Sequence, residues 1–349
     1  MSLVRTAWLS FVVCCLFAAG CQFPGNDRTE NAGITTADSN TIDSTSVESN
    51  AIQSNSSSSI AAANFESQVA SNVEMAGHSS SEVQAEGNLD LKDGVDESEE
   101  TKIHKKQSLA ESFLFHPLKY PRGFDRFKIE GQRVKFTSED GTKLDGRYFI
   151  APDSKGVIVF CHGNAGNLAS RTQRMEQLQK QFGYSFFLFD YRGYGRSEGK
   201  PTVSGVLADG RAAVRKAAEL AHVKPSEVIV MGRSLGGAIA IQLAAKFKSP
   251  KLIVESTFTS FRDIARDKVS FLSGLTRKSD LDSVKAIAEY RGAVLLSHSV
   301  DDGVIPYKHG KTLYEKANQP KQFYEVKNAG HNDPMPESYR RILGQFLNQ

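Results

Sequence analysis

The chain has 349 residues, of which 40% are hydrophobic and 24% are charged, and its formal net charge at pH 7 is only +3. This composition allows a domain with a sizeable core, and no interleaving of basic and aromatic residues favours a nucleic-acid partner. The charge is unevenly distributed, since fifteen acidic and two basic residues between Gln22 and Glu100 give a net −13 there, which leaves +15 for residues 101–349 once Arg5 is set aside. We expect a scattered, solvated basic surface; attraction to an anionic surface or an acidic substrate is the alternative.

Residues 1–21 predict an export signal. Arg5 precedes an apolar run from Ala7 to Ala19 that is too short to span a bilayer comfortably. The ending Ala18-Ala19-Gly20-Cys21 resembles a bacterial lipoprotein signal, in which the cysteine is lipidated and becomes the mature N-terminus, although Ala18 stands where Leu is commonest. We therefore expect an exported lipoprotein, anchored to a membrane of the cell envelope through Cys21. The alternatives are a secreted protein with an ordinary signal, and an uncleaved anchor.

Residues 22–111 predict a disordered, acidic linker rich in Ser and Asn. Stretches such as "TIDSTSVESNAIQSNSSSSIAAANFES" contain few large apolar residues, and these show no period. Such a segment buries too little surface to offset its ordering entropy. As a coil of roughly 90 residues it has a reach on the order of 50 Å, which suits a tether between a membrane and a domain.

Residues 112–349 predict an α/β domain. "QRVKFTSEDGTKLDGRYFI" has the pattern of a hairpin with Asp-Gly at the turn. Short apolar runs that suit parallel strands covered on both faces follow in "GVIVFCHGN", "SFFLFDYRGYG", "EVIVMGRS", "KLIVEST", "AVLLSHSVDD" and "KQFYEVKNAGH". Amphipathic helical stretches lie between them, one of which ends at Gly183, a plausible C-cap. The alternation predicts a mostly parallel sheet with helices on both faces.

A serine lies between two glycines where a predicted strand passes into a predicted helix. Gly232-Arg233-Ser234-Leu235-Gly236 follows "VIVM" and precedes "GAIAIQLAAK". In this context G-x-S-x-G is typical of a nucleophile elbow, a strained turn that lifts the serine hydroxyl above the sheet edge. The alternative is a simple Gly-rich turn between strand and helix.

A serine hydroxyl needs a base, and the base needs an acid that orients it. His331, in "NAGHNDP", follows the last predicted strand and is the expected base, since it should lie at the same sheet edge as Ser234. The other histidines have ordinary interpretations: linker residues (His78, His104), surface or loop residues (His116, His222, His309) and structural groups at strand ends (His162, His298). "SHSVDDGVIP" offers two acids, of which we choose Asp302; in the alternative Asp301 is the partner and Asp302 shapes the turn.

Two backbone N–H groups are expected to face the oxyanion. One belongs to Leu235, directly after Ser234, and the other to Asn164 in the loop "HGNAGN" after an earlier strand. The alternative for this loop is a Gly-rich turn that starts the next helix.

The segments "FCHGNAGN", "DYRGYGRSEGKPT", "GRSLGGAIA" and "HSVDDGVIP" with "GHND" together resemble the α/β-hydrolases of the Bem46-like group, related to the eukaryotic α/β-hydrolase domain-containing proteins 12, 13 and 17. The resemblance covers most of residues 112–349 and reaches neither the linker nor the signal. It implies an acid in a D-x-x-V/I-P motif, which Asp302 to Pro306 match, and this supports Asp302 over Asp301. It also implies a serine hydrolase acting on acyl bonds.

We therefore expect a serine hydrolase that cleaves a carboxylic ester or thioester, of a small molecule or a lipid, through Ser234, His331 and Asp302. The alternatives are an aminopeptidase-like serine peptidase on the same triad, and a non-catalytic envelope binding protein. No cofactor or metal is expected, because no Cys/His cluster has ligand spacing and no phosphate-binding Gly loop precedes Lys-Ser/Thr.

The residues between "KLIVEST" and "AVLLSH" form a short, lid-like insert. Its apolar residues either line an acyl pocket or pack an ordinary helix onto the sheet: Phe258, Phe261, Val269, Phe271 and Leu272. The insert is too short for a large cap domain, so we expect an open site. In "DYRGYGRSEG", Tyr191 is a candidate for lining the pocket.

Overall fold

The structure is a computed structural model that describes residues 108–120, 129–268, 270–277 and 281–349. The predicted signal, with Cys21, and residues 22–107 of the predicted linker lie outside the described residues. Helix α1 (Leu109–Leu114) extends across the predicted boundary between residues 111 and 112.

Within the described ranges, no helix combines the length and the apolar character needed to cross a membrane.

Eight strands form one sheet in the order β1-β2-β4-β3-β5-β6-β7-β8. The strands are β1 (Gln132–Thr137), β2 (Lys143–Phe149), β3 (Val157–Cys161), β4 (Ser185–Phe189), β5 (Ile229–Arg233), β6 (Lys251–Glu255), β7 (Ala293–Ser299) and β8 (Lys321–Val326). Strand β2 pairs antiparallel with β1 and β4, and every pair from β4 to β8 is parallel. The predicted mostly parallel α/β sheet is confirmed.

Helices cover both faces of this sheet. After α1 they are α2 (Thr172–Phe182), α3 (Val203–Ala221), α4 (Leu235–Phe247), α5 (Phe261–Lys268), α6 (Ser283–Glu289), α7 (Lys308–Lys316) and α8 (Glu337–Leu347). Short 3-10 helices occupy Leu168–Arg171, Pro225–Glu227 and Ser270–Leu275.

The hairpin turn and the helix C-cap that the sequence predicted are both present. The hairpin of β1 and β2 turns at Gly141, whose φ of +82° lies in the left-handed region that glycine adopts at little cost. Helix α2 ends at Gly183, which is left-handed (φ 74°, ψ 25°) and donates its N–H to the carbonyl of Gln179.

Alternate side chains of the central strands enter two separate cores. In β3, Val157 and Val159 pack with α3 and α4, while Ile158 and Phe160 pack with α2 and α8 on the other face. This two-sided burial explains why the strands are continuous apolar runs rather than alternating ones. The parallel pairing also brings the carboxyl ends of β3, β5, β7 and β8 to one edge, where their loops meet.

The lid-like insert contains α5, the 3-10 helix Ser270–Leu275 and α6. Phe258 and Phe261 are only 3% and 4% exposed and belong to the main core, so for these two residues the packing interpretation holds. Val269 and the side chains of Phe271 and Leu272 lie outside the described part of the chain.

Tyr191 does not line a pocket, contrary to the expectation. Its ring is fully buried between Phe189 and Tyr194, and its hydroxyl donates to the carbonyl oxygen of His162 at 3.0 Å. The aromatic contacts draw this side chain into the core beneath the β3 loop.

Candidate active site

Ser234 lies in a strained turn between β5 and α4. Its φ of 56° and ψ of −125° place a residue with a Cβ in a region that such residues rarely adopt. Three hydrogen bonds to the serine's own backbone hold it there. Its N–H donates to Glu255 O at 2.9 Å, and its carbonyl oxygen accepts from Gly237 N–H at 2.9 Å and from the Thr257 hydroxyl at 2.7 Å. The turn leaves the serine side chain partly exposed at the sheet edge.

The glycines on either side of the serine are required by close packing. A Cβ on Gly232 would lie 2.1 Å from the carbonyl oxygen of Gly236. A Cβ on Gly236 would lie 2.0 Å from the carbonyl oxygen of Cys161, at the end of β3. Because both obstacles are backbone atoms, the elbow excludes any side chain at either position.

Ser234, His331 and Asp302 form a continuous hydrogen-bonded chain. His331 Nε2 lies 3.0 Å from Ser234 Oγ, and His331 Nδ1 lies 2.7 Å from Asp302 Oδ2. His331 and Asp302 are each only 8% exposed. The three residues come from the loops after β5, β8 and β7, so the geometry brings together the side chains that the sequence singled out.

Asp302 is held as a carboxylate by several donors. Its Oδ1 accepts the backbone N–H groups of Val304 at 2.9 Å and Ile305 at 2.7 Å, and His298 Nε2 lies 3.5 Å from Oδ2. Burial by itself would raise the pKa of Asp302, but the hydrogen bonds from His298, His331 and Ile305 outweigh it and hold the pKa well below its ordinary value. The carboxylate therefore stays ionised and accepts the Nδ1–H of His331.

Asp301 has a different task from its neighbour. Its Oδ2 accepts the backbone N–H of Asn328 at 2.9 Å, which ties the β7 loop to the start of the β8 loop. The structure therefore places Asp302, and not Asp301, against the imidazole.

The loop after β3 passes directly beside the serine. A Cβ on Gly163 would lie 3.4 Å from the Cβ of Ser234. The next residue is Asn164, and Leu235 opens helix α4 on the serine's other side. Within the described residues, neither the Asn164 nor the Leu235 backbone N–H donates to another protein group. Both N–H groups are therefore candidate donors to an oxygen bound beside Ser234 Oγ.

Arg233 fixes the loop that carries the imidazole. Its Nη2 donates to the carbonyl oxygens of His331 at 2.6 Å and Asp333 at 3.0 Å. The Asp333 carboxylate in turn accepts the N–H of Gly330 at 2.6 Å, which closes the loop on itself. Sequence reasoning missed this role, because the residue before the serine is free to vary in the G-x-S-x-G pattern.

A partly buried ion pair supports the strand end next to the serine. Arg174 on α2 makes two hydrogen bonds to Glu255, at 2.6 Å and 2.9 Å, and the Glu255 side chain is fully buried. The backbone carbonyl of the same glutamate accepts the Ser234 N–H. The pair therefore anchors the end of β6, on which the turn depends. No motif in the sequence indicates it.

Two of the remaining histidines bear on the predictions. His298 is buried and contacts Ile305 O at 2.9 Å, the structural role expected of it. His309 was expected to be a surface or loop residue, but it lies in α7 and is only 2% exposed. It is 2.9 Å from Thr259 Oγ1 and 3.0 Å from Asp267 Oδ2, and so joins α7 to α5. A lone histidine within a polar helical segment gives no sign of such partners.

Comparisons with known proteins agree with this fold. The profile of the alpha/beta hydrolase fold matches residues 156–270. The uncharacterized protein YfhR of Escherichia coli K12 is 31% identical over 254 residues, which cover 68% of this chain and 87% of that protein. The α/β hydrolase domain-containing proteins WAV2 of Arabidopsis thaliana and 17B of human are each 32% identical; they cover 65% and 57% of this chain, and 82% and 68% of their own lengths.

Solved structures show the same fold. The esterase Pf2001 of Pyrococcus furiosus superposes with a TM-score of 0.56 at 20% identity, over 67% of this chain and 97% of that one. Est1E of Butyrivibrio proteoclasticus, with ferulic acid bound, gives a TM-score of 0.52 at 18% identity.

The fold and these relatives define a hydrolase. The chain belongs to the α/β-hydrolase family, as the motifs predicted.

Proposed function

We propose that this chain is a serine hydrolase that cleaves carboxylic esters or thioesters. The observation that carries the proposal is the unbroken contact from Ser234 Oγ to His331 Nε2 and from His331 Nδ1 to Asp302. The serine hydroxyl lies in a strained, partly exposed turn, beside an imidazole that a buried carboxylate orients. This arrangement activates serine as a nucleophile.

The first half of the reaction forms an acyl-enzyme. Ser234 Oγ attacks the acyl carbon while His331 Nε2 accepts the hydroxyl proton, and Asp302 stabilises the imidazolium that results. The carbonyl π electrons move to the oxygen, which becomes an oxyanion facing the N–H groups of Leu235 and Asn164. When the tetrahedral intermediate collapses, the bond to the leaving oxygen or sulfur breaks, and His331 returns the proton to that group.

The second half releases the acid. Water attacks the acyl-serine as His331 again accepts a proton, and the same two N–H groups receive the second oxyanion. Collapse breaks the bond between Ser234 Oγ and the acyl carbon, and His331 reprotonates the serine. The carboxylic acid leaves, and the enzyme is restored.

An activity screen tests this proposal. The full chain is assayed on p-nitrophenyl esters and matched alkyl thioesters of increasing acyl length, with an aminoacyl anilide as the peptidase arm. We expect turnover of an ester or thioester, and a loss of kcat of about 10³–10⁴-fold in Asp302→Asn, which forces the wrong tautomer on His331. Asp301→Asn is the matched control and should retain most of the activity.

Three results would count against the proposal. They are full activity in Ser234→Ala, equal effects of the Asp301 and Asp302 substitutions, and turnover of the anilide alone. The last would instead favour the peptidase.

A further inference from the structure

A segment at the start of the described chain packs against the loop after β3, beside the proposed nucleophile. We call residues 108–119 the N-terminal strap. It begins with α1, whose Ser108 and Glu111 cap each other's backbone N–H groups. Ala110 and Phe115 then enter the main core, with exposures of 2% and 3%. The strap is therefore packed as part of the domain.

The Asn164 side chain clamps the strap to the loop after β3. Its Nδ2 donates to Leu114 O at 2.6 Å, and its Oδ1 accepts the backbone N–H of His116 at 2.8 Å. The same Oδ1 accepts the hydroxyl of Tyr194 at 2.7 Å. These bonds fix both ends of one amide, so the position of residue 164 depends on the strap.

A second set of contacts holds the strap on both sides of the clamp. Leu118 O accepts the N–H of Gly195 at 2.9 Å and Nδ2 of Asn167 at 3.2 Å. Closer to the chain start, Glu111 Oε1 accepts the N–H of Val203, the first residue of α3, at 2.8 Å. The strap thus contacts the loop after β3, the loop after β4 and the start of α3.

We propose that the N-terminal strap is a positioning element for catalysis. Through the Asn164 side chain it holds the Asn164 N–H where the oxyanion forms. The inference rests on the proposed function, because the N–H matters only if an acyl oxygen develops charge beside Ser234.

The physical reason lies in the loop itself. Asn164 follows Gly163, and Gly166 has a φ of +81°, so the loop contains two residues with wide conformational freedom close to the donor. An oxyanion donor must be placed within a few tenths of an ångström, since misplacement by about 1 Å costs roughly 100-fold in rate. The strap restricts the loop from outside through its two bonds to Asn164, which add to the bond that Tyr194 donates.

A proline substitution in the strap tests this directly. His116→Pro removes the N–H that binds Asn164, whereas His116→Ala keeps it, and the imidazole is absent from both. The preceding residue, Phe115, is already extended (φ −104°, ψ 124°), as a residue before proline prefers. In the full chain we expect kcat of His116→Pro to be about 10- to 100-fold below that of His116→Ala, with KM within about twofold.

Two further measurements distinguish a loss of oxyanion positioning from a general destabilisation of the fold. A trifluoromethyl ketone of the best acyl chain, whose adduct carries an oxyanion, should lose affinity in His116→Pro in parallel with kcat. In an Asn164→Ala background the difference between His116→Pro and His116→Ala should disappear, because residue 164 then has no side chain through which the strap can act on it. Equal kcat in the two variants, or an unchanged difference in the Asn164→Ala background, would overturn the proposal.

If His116→Pro does not fold, Asn164→Asp decides the question. Asn164→Asp keeps an acceptor for the His116 N–H. It replaces the Nδ2 donor by a carboxylate oxygen, which repels the carbonyl oxygen of Leu114. A folded Asn164→Asp with wild-type kcat and ketone affinity would overturn the proposal. If wild-type enzyme hydrolyses neither ester nor thioester, the proposed function fails before the strap is tested, so the two failures are distinct.

Discussion

At the scale of single residues, the site depends on side chains that do not react. Arg233 lies next to the proposed nucleophile in sequence, yet its guanidinium holds the loop of the proposed base through the carbonyl oxygens of His331 and Asp333. Together with the Asp302 contact, Arg233 therefore helps to set the distance between Ser234 Oγ and His331 Nε2.

We expect Arg233→Met to lower kcat by about 10- to 100-fold, because His331 loses its backbone anchor and the imidazole samples unproductive positions. Arg233→Lys should restore part of the loss, since an ammonium can still donate to one carbonyl. Ester hydrolysis is measured together with thermal unfolding. Arg340→Met, which breaks an exposed pair with Glu337, is the control. An Arg233→Met enzyme with the control's kcat would show that the anchor is dispensable.

Asp190, at the end of β4, is a second informative residue. Its Oδ1 accepts the Leu168 N–H at 2.7 Å, but its Oδ2 has no partner among the described residues. Burial raises the pKa of Asp190 from 3.8 to about 8, against the effect of the Leu168 hydrogen bond. The folded state therefore binds this proton more tightly than the unfolded state, so the residue's contribution to stability falls as pH rises between these two values and is constant above them.

Asp190→Asn keeps an acceptor for the Leu168 N–H and cannot ionise. Relative to wild type, its free energy of unfolding should increase with pH across this window, by up to about 1.4 kcal/mol per pH unit, and level off above it. Urea unfolding of both proteins from pH about 5 to about 9 measures the difference. A difference independent of pH would mean that Asp190 is ionised in the folded protein throughout.

At the scale of elements, the turn between β5 and α4 is the most constrained part of the fold. The serine's strained backbone is tolerated because β6 accepts its N–H and because bare glycines let β3 and α4 approach. The elbow therefore depends on the close packing of β3, β5 and α4. A single methyl group added at one of its glycines should disrupt it.

Gly236→Ala tests this constraint. Its Cβ would meet the Cys161 backbone at 2.0 Å, so strand and helix must separate, and we expect a loss of about 3 kcal/mol or more in the free energy of unfolding. Gly274→Ala is the control, because its Cβ meets nothing within 4 Å. Denaturant unfolding of both variants provides the comparison, and similar stabilities would contradict the packing described.

The sequence predicted those elements whose signals are local. Apolar runs of strand length, the Gly183 C-cap and the Asp-Gly hairpin turn each specify their own structure, and the elbow glycines pointed to Ser234. The bridging roles of Arg233 and Glu255 could not be predicted, because each depends on a partner many residues away that only the folded sheet brings close. The burial of His309 and Tyr191 was mispredicted for the same reason: neighbouring helices and loops cover them.

At the scale of the whole molecule, one sheet edge gathers groups that are far apart in the chain. Asn164, Ser234, Asp302 and His331 follow four different strands, and parallel pairing places all four loops on the same side. The strongly acidic segment between Gln22 and Glu100 precedes this basic domain. We propose that this segment tethers the domain to a membrane through a lipid on Cys21.

Cys21→Ser tests the tether in a bacterial host that processes lipoproteins. Wild type should partition into the detergent phase of a membrane extract, whereas the variant, which has no thiol to acylate, should appear mostly in the aqueous phase. Cys161→Ser, at a buried position in the domain, is the matched control and should partition like wild type. Equal partitioning of all three proteins would leave Cys21 without a lipid.

The proposed catalysis depends most directly on the reactivity of the Ser234 hydroxyl. Wild-type protein treated with a fluorophosphonate probe should acquire a single adduct, which mass spectrometry of the digested protein places on Ser234. His331→Ala should react far more slowly, and Ser234→Ala should not react. Equal labelling of wild type and Ser234→Ala, or an adduct on another residue, would contradict the proposed nucleophile.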